Sequence, residues 1–250
     1  MTKILDGKIA LVTGAGRNIG RAIAHRLAAD GATVVVNGRA DQDAVEAVVR
    51  EIRVAGGKAV GAMADVSQPD QVGEMIAEIG INFGGIDILV SNAGLRRQTK
   101  FLEMSLAEWR EIMSVALDGA FILARATAPL MLARGGGSII GMSGISTHVG
   151  TPERCHASAS KAGLEGLMRA LAVELAPHGI RCNCVAPGSI DTVRGASAGV
   201  RPPGLTGRGI PFGRQGTVDE IASVVRMLAG PEGGYVTGQT IHVNGGAFLT

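Results

Sequence analysis

The sequence predicts an α/β fold: one doubly wound parallel sheet with helices on both faces. Short β-branched runs alternate along the whole chain with longer segments whose apolar residues recur at i, i+3 and i+4. A Gly-rich turn, "TGAGRNIG", joins the first of these runs to the first helical segment. The 250 residues are 46% hydrophobic, enough to bury one sizeable core. Strand–helix alternation of this kind requires right-handed crossovers, which place helices on both faces of a parallel sheet.

Taken in order, strands are expected at "KIALVTG", "TVVVNG", "KAVGAMAD", "DILVSNAG", "SIIGMSG", "IRCNCVAPG" and "QTIHVNGG". Each is a short run rich in Val and Ile that ends in Gly, Asn or Asp. Helices are expected through "NIGRAIAHRLAADG", "DAVEAVVREIRVAGG", "PDQVGEMIAEIGINFGG", "SLAEWREIMSVALDGAFILARATAPLMLARGG" and "CHASASKAGLEGLMRALAVELAPHG". One stretch breaks the rhythm. Residues 192–216 are rich in Gly, Pro and Arg, which reads as a flexible substrate loop inserted into a single domain spanning 1–250. The result is a Rossmann sheet, whose ligands bind outside the carboxyl ends of the strands.

Charge narrows the function classes. With 24 basic and 22 acidic residues the net charge is +2, so neither nucleic acid nor an anionic membrane is an expected partner. No apolar run is read as a bilayer span, and the N-terminus enters a strand directly. Three Cys, two of them in "RCNC", provide neither a disulfide framework nor a zinc site, so no metal is expected. Cys182 and Cys184 are expected on one face of a buried strand. The expected compartment is the cytoplasm.

The turn from Thr13 to Gly20 fits T-G-x-x-x-G-x-G if Asn18 stands in for the middle Gly. Asn tolerates positive φ better than most residues, so the turn can survive. Backbone N–H groups of Gly14, Gly16, Arg17, Asn18, Ile19 and Gly20 would then face a pyrophosphate at a helix start. At the end of the second strand "NGR" offers no carboxylate for an adenosine 2′-hydroxyl. Arg39 and Arg17 could bind a 2′-phosphate, which favours NADP(H) over NAD(H). The alternative is that both are solvated surface side chains.

Together "TGAGRNIG", "ADVS", "SNAG", "ASASKAG", "RCNCVAPGSIDT", "GRQGTVDEIA" and "VTGQTIHVNGG" resemble, in order and spacing, the short-chain dehydrogenase/reductase family, and within it the 3-oxoacyl-carrier-protein reductase type. The resemblance implies adenine contacts at Asp65 and Val66 and a ribose-side turn at Asn92, Ala93 and Gly94. It also implies that Pro187, Gly188, Ile190 and Thr192 hold the nicotinamide carboxamide, and that Lys161 binds the nicotinamide ribose. A homotetramer is expected by the same resemblance.

The family's chemical positions are altered. Where it usually carries Ser, Tyr and Asn, this sequence reads Gly144, Ala157 and Ala116; only Lys161 remains. His148 and His156 are the candidate substitutes for the missing acid, since His titrates near neutrality. Arg96, Arg97, Arg154, Arg194, Arg201 and Arg208 would suit a small-molecule substrate that is anionic or linked to an acyl carrier. Three readings stay open: a weakened NADP(H)-dependent oxidoreductase of a carbonyl or secondary alcohol, a non-redox nucleotide-binding or inactive subunit, and a lyase using the same pocket.

Overall fold

The computed structural model describes residues 3–193 and 209–250. Seven strands form one sheet: β1 (Ile9–Val12), β2 (Thr33–Gly38), β3 (Lys58–Met63), β4 (Ile88–Ser91), β5 (Gly137–Met142), β6 (Ile180–Pro187) and β7 (Thr240–Val243). Their order is β3-β2-β1-β4-β5-β6-β7, and every neighbouring pair is parallel. Each expected strand is present, with its ends trimmed where the chain turns away.

On one face lie α1 (Asn18–Ala29), α2 (Gln42–Val54) and α8 (Val218–Ala229), which bury Ile23, Leu27, Val48, Ile52, Ile221 and Val225. On the other lie α3 (Pro69–Phe83), α5 (Gly119–Ala133) and α7 (Cys155–Leu175), which bury Val72, Ile79, Leu123, Met131, Leu164 and Met168. The α8 segment is absent from the helices expected by periodicity and lies within the quoted stretch "GRQGTVDEIA". Its start is nonetheless legible as T-x-x-E: Thr217 Oγ1 accepts from Glu220 N, and the Glu220 carboxylate accepts from Thr217 N. Cys182 and Cys184 are fully buried on β6, and burial pushes both thiols up to about 12.

The long helix expected over Ser105 to Gly136 is divided. It runs as α4 (Leu106–Met113), a π-helical turn over Ser114–Asp118, and α5. By length and composition alone the stretch Leu106–Ala133 is long and apolar enough to cross a bilayer, a test that a core helix of a globular domain also passes. Here that apolarity lies against the sheet, where Ile112, Val115, Ala120, Leu123 and Met131 are buried. A short α6 (Ser146–Val149) follows β5.

Asp87 fixes the lower end of the sheet. Its carboxylate accepts from the Ile9 backbone N–H at 2.8 Å, Lys8 Nζ at 3.0 Å and Arg134 Nε at 2.9 Å, and is 4% exposed. Burial alone would raise its pKa, but Arg134, the Ile9 N–H and Lys8 outweigh burial and hold it below the ordinary carboxyl value. Its stabilisation is therefore full above the usual value of 3.8 and is lost as pH falls through the lower folded value. Asp87→Asn should cost about 2–3 kcal/mol in urea unfolding at pH 7, discounted for the half-exposed Lys8. The variant's stability should also fall less steeply than wild type between the two pKa values.

Candidate active site

The sheet order reverses between β1 and β4, which opens a crevice at their carboxyl ends. Thr13, at the end of β1, holds the two sides together. Its hydroxyl donates to Val90 O and accepts from the N–H groups of Asn92 and Ala93 at 3.0 and 3.1 Å. Asn92 returns the link, donating from Nδ2 to Thr13 O and Gly14 O. Thr13 is a positioning residue that sequence reasoning passed over, although it stands in the quoted turn.

The turn closes only because two positions lack side chains. Gly14 has φ +60, and a Cβ on Gly20 would lie 2.5 Å from Gly14 O and 2.6 Å from Asn92 Nδ2. This cradle at the start of a 12-residue helix fits a dinucleotide's pyrophosphate. Asn18 adopts φ +50, and its side chain makes a reciprocal pair with Val193. Nδ2 donates to Val193 O at 2.9 Å, and Oδ1 accepts from Val193 N at 3.0 Å. The phosphate turn is thus tied to the start of the long insertion.

At the end of β2 the Asn37 amide is buried and donates to the carbonyls of Ala62 and Ala64, so it serves the sheet. Arg17 is exposed, and Arg39 is 53% exposed with its guanidinium 3.8 Å from Asp65. The Asp65 carboxylate also accepts from Ser67 N and Oγ, while Val66 is buried against Gly119.

Beyond the crevice lies a pocket of about 450 Å³. Ile19, Asn92 and Gly94 line one side, and Pro187, Gly188, Ile190 and Thr192 another. Gly144, Ala157 and Lys161 complete the wall with Arg96 and Arg154. Lys161 Nζ donates to Met142 O at 2.6 Å, and burial first, then the nearby Arg96 cation, lowers its pKa to about 8. Ala116 is buried in the π-helical turn, which therefore persists without an Asn. A Cβ on Gly144 would meet only Ser146 Oγ, at 3.8 Å, so the site has room for a larger residue.

Neither candidate His stands on the pocket wall. His156 is fully buried, with Nε2 3.2 Å from Glu108 Oε1 and Nδ1 accepting from Ala157 N. His148, on α6, lies 3.1 Å from Glu165 Oε1 and stacks on Phe248. The buried Glu165 also accepts from Ser143 Oγ at 2.5 Å, a polar cluster that the sequence did not reveal. Ser143 is thereby turned to Glu165, and Arg97 forms a two-pronged pair with Glu111 on α4. Arg194, Arg201 and Arg208 lie outside the described residues, as does most of the expected substrate loop. Both feet of that insertion are pinned: Ile190 bridges Gly216, Asp191 N donates to Gly216 O, and Gln215 Nε2 donates to Ser189 Oγ. Among the described residues no group of His, Cys, Asp and Glu could hold a metal ion.

Replacing Asn18 by Gly keeps the positive φ and removes both bonds to Val193. Hydrogen exchange should then quicken at the Val193 amide by roughly tenfold, the equivalent of about one net hydrogen bond, with little change in the thermal midpoint.

The sequence profile of the family described as enoyl-(acyl carrier protein) reductase matches residues 14–247. The 3-oxoacyl-[acyl-carrier-protein] reductase of Synechocystis sp. is 40% identical over 246 residues, 98% of this chain and 98% of that protein. The Staphylococcus epidermidis protein of the same name is 41% identical over 244 residues, covering 97% and 99%. That of Aquifex aeolicus is 40% identical over 245 residues, 98% of each. With the parallel sheet, the Gly-rich cradle and the partly buried lysine at its strand ends, the chain belongs to the short-chain dehydrogenase/reductase family of oxidoreductases.

Proposed function

We propose that this protein binds NADP(H) in the crevice and reduces a carbonyl, or oxidises the matching alcohol, slowly. The observation that carries this reading is Lys161, partly buried on the wall of a pocket that reaches Ile19 in the phosphate turn. Absence of a carboxylate at the end of β2, with Arg17 and Arg39 exposed nearby, favours NADP(H) over NAD(H). Lys161, Asn92 and the 187–192 segment would hold the nicotinamide riboside. A bound reduced nicotinamide supplies the hydride.

The proton has fewer sources than in a site with a phenol. Gly144 and Ala157 offer none, Ser143 donates to Glu165, and both histidines point elsewhere. Lys161 supplies it in this reading. Its pKa of about 8 lies near neutrality, where a general acid is most effective, and Met142 O fixes the ammonium against the pocket. The relatives' names point to an acyl-carrier-linked 3-oxo substrate as the starting panel. A homotetramer in the cytoplasm completes the reading; light scattering that returned a monomer would contradict the assembly.

Calorimetric titration should give NADPH binding at least tenfold tighter than NADH. Failure of both to bind would favour a non-redox subunit, while substrate conversion without net NADPH oxidation would favour a lyase. The double variant Gly144→Ser, Ala157→Tyr uses the open space at position 144 and places a phenol at a pocket-lining position. It should gain about a hundred- to ten-thousand-fold in ketone reduction, the usual contribution of a positioned acid.

A further inference from the structure

Lys161 Nζ, on the pocket wall, has a single hydrogen-bond partner among the described residues, Met142 O at 2.6 Å. An ammonium carries three N–H donors, so the charged form keeps two of them without a protein acceptor. The neutral amine is better matched, since one N–H reaches Met142 O and the lone pair is left for the pocket. No Asp or Glu is among the described residues that line this pocket, so no carboxylate on its wall holds the proton on Nζ. The other lysines differ. Lys3, Lys8, Lys58 and Lys100 are exposed, and Lys8 and Lys100 are paired with Asp87 and Glu103.

There is also room in front of this amine. Ala157 precedes Lys161 by one turn of α7, so both project from one helix face, and the Ala157 side chain ends at Cβ. Both line the pocket of about 450 Å³. Gly94 keeps a side chain away from the amine, since a Cβ there would touch Nζ at 3.7 Å. Thr151, on the same wall, has a hydroxyl without a hydrogen-bond partner among the described residues, a donor for the oxygen of a carbonyl compound. Burial lowers the Lys161 pKa to about 8. At pH 7 about a tenth of it is therefore free amine, against less than about a thousandth for an ordinary lysine.

We infer that Lys161 is a covalent site: its amine condenses with a small aldehyde or ketone in the space beside Ala157 to form an imine. This goes beyond the reductase reading and needs no nucleotide. The Nζ lone pair adds to the carbonyl carbon as the C=O π electrons move to oxygen. Nζ loses a proton to water and the oxygen gains one, giving a carbinolamine. The oxygen takes a second proton from solvent and leaves as water with the C–O electron pair, while the nitrogen lone pair forms the C=N bond. The iminium returns that proton on becoming the imine, so one water is released and nothing is oxidised or reduced. As an iminium the adduct draws electrons from the neighbouring carbon, the basis of amine catalysis on carbonyl substrates. The ammonium that prevails below pH 8 gives a proton, and the amine that prevails above it attacks.

The test is reductive trapping of the nucleotide-free protein with acetone and cyanoborohydride at pH 7, read as isopropyl-lysine by peptide mapping. Lys161 should be alkylated at least tenfold faster than any of the four exposed lysines. That ratio, which cancels the reductant's own pH dependence, should shrink as pH is raised from 7 to 10, because the exposed amines lose their protons later. Ala157→Phe, which fills the space, should slow trapping at Lys161 at least tenfold and leave the exposed lysines unchanged, with circular dichroism confirming the fold. Trapping at Lys161 no faster than at the exposed lysines would overturn the inference. So would a ratio that does not change with pH, or a folded Ala157→Phe variant that is trapped at the wild-type rate. No nucleotide is present, so a failure of NADPH to bind, measured separately, counts against the cofactor reading alone.

Discussion

Everything at the site depends on the join between β1 and β4. A parallel sheet that reverses its strand order must leave a gap at that point, because the crossovers depart to opposite faces. Thr13 and Asn92 span the gap with hydrogen bonds between the two strand ends. Gly14 and Gly20 let the phosphate turn lie directly over that bridge. Moving either strand end would displace the cradle and the pocket wall together. At the opposite end of the same strands, Asp87 holds the starts of β1 and β4 in register.

On this frame, Ile19, Asn92, Lys161 and the stretch from Pro187 to Ile190 line one pocket together with Gly144 and Ala157, while Ala116 is buried in the neighbouring π-helical turn. The surroundings have not collapsed around them. Gly144 retains space, and the π-helical turn at Ala116 keeps its shape through packing, with Leu117 against Gly163.

Much of this was legible in the sequence. Strand positions follow from runs of Val and Ile, and the cradle from glycine spacing, because both are local consequences of sterics. The positive φ of Asn18 follows from residue type in the same way. What the sequence could not supply is direction. His156 is adjacent to the vacant position in sequence, yet one residue of helical rotation turns it into the protein toward Glu108. His148 reaches Glu165, which lies seventeen residues away along the chain and carries no motif of its own. Asp87 with Arg134 and Asn18 with Val193 are likewise pairings that only the fold creates. The apolar stretch through α5 shows the same ambiguity in composition, since a helix against a sheet and one in a bilayer require similar residues.

The pinned feet of the insertion bear on how much chain the fold can carry between them. With Ile190 bridged to Gly216 and Ser189 bound to Gln215, the chain leaves and rejoins the sheet at a fixed separation. Lengthening a loop between fixed ends costs little, about 0.6 kcal/mol for each doubling. A change of length beyond Val193 would thus leave both feet, and the Asn18–Val193 pair beside the phosphate turn, where they are.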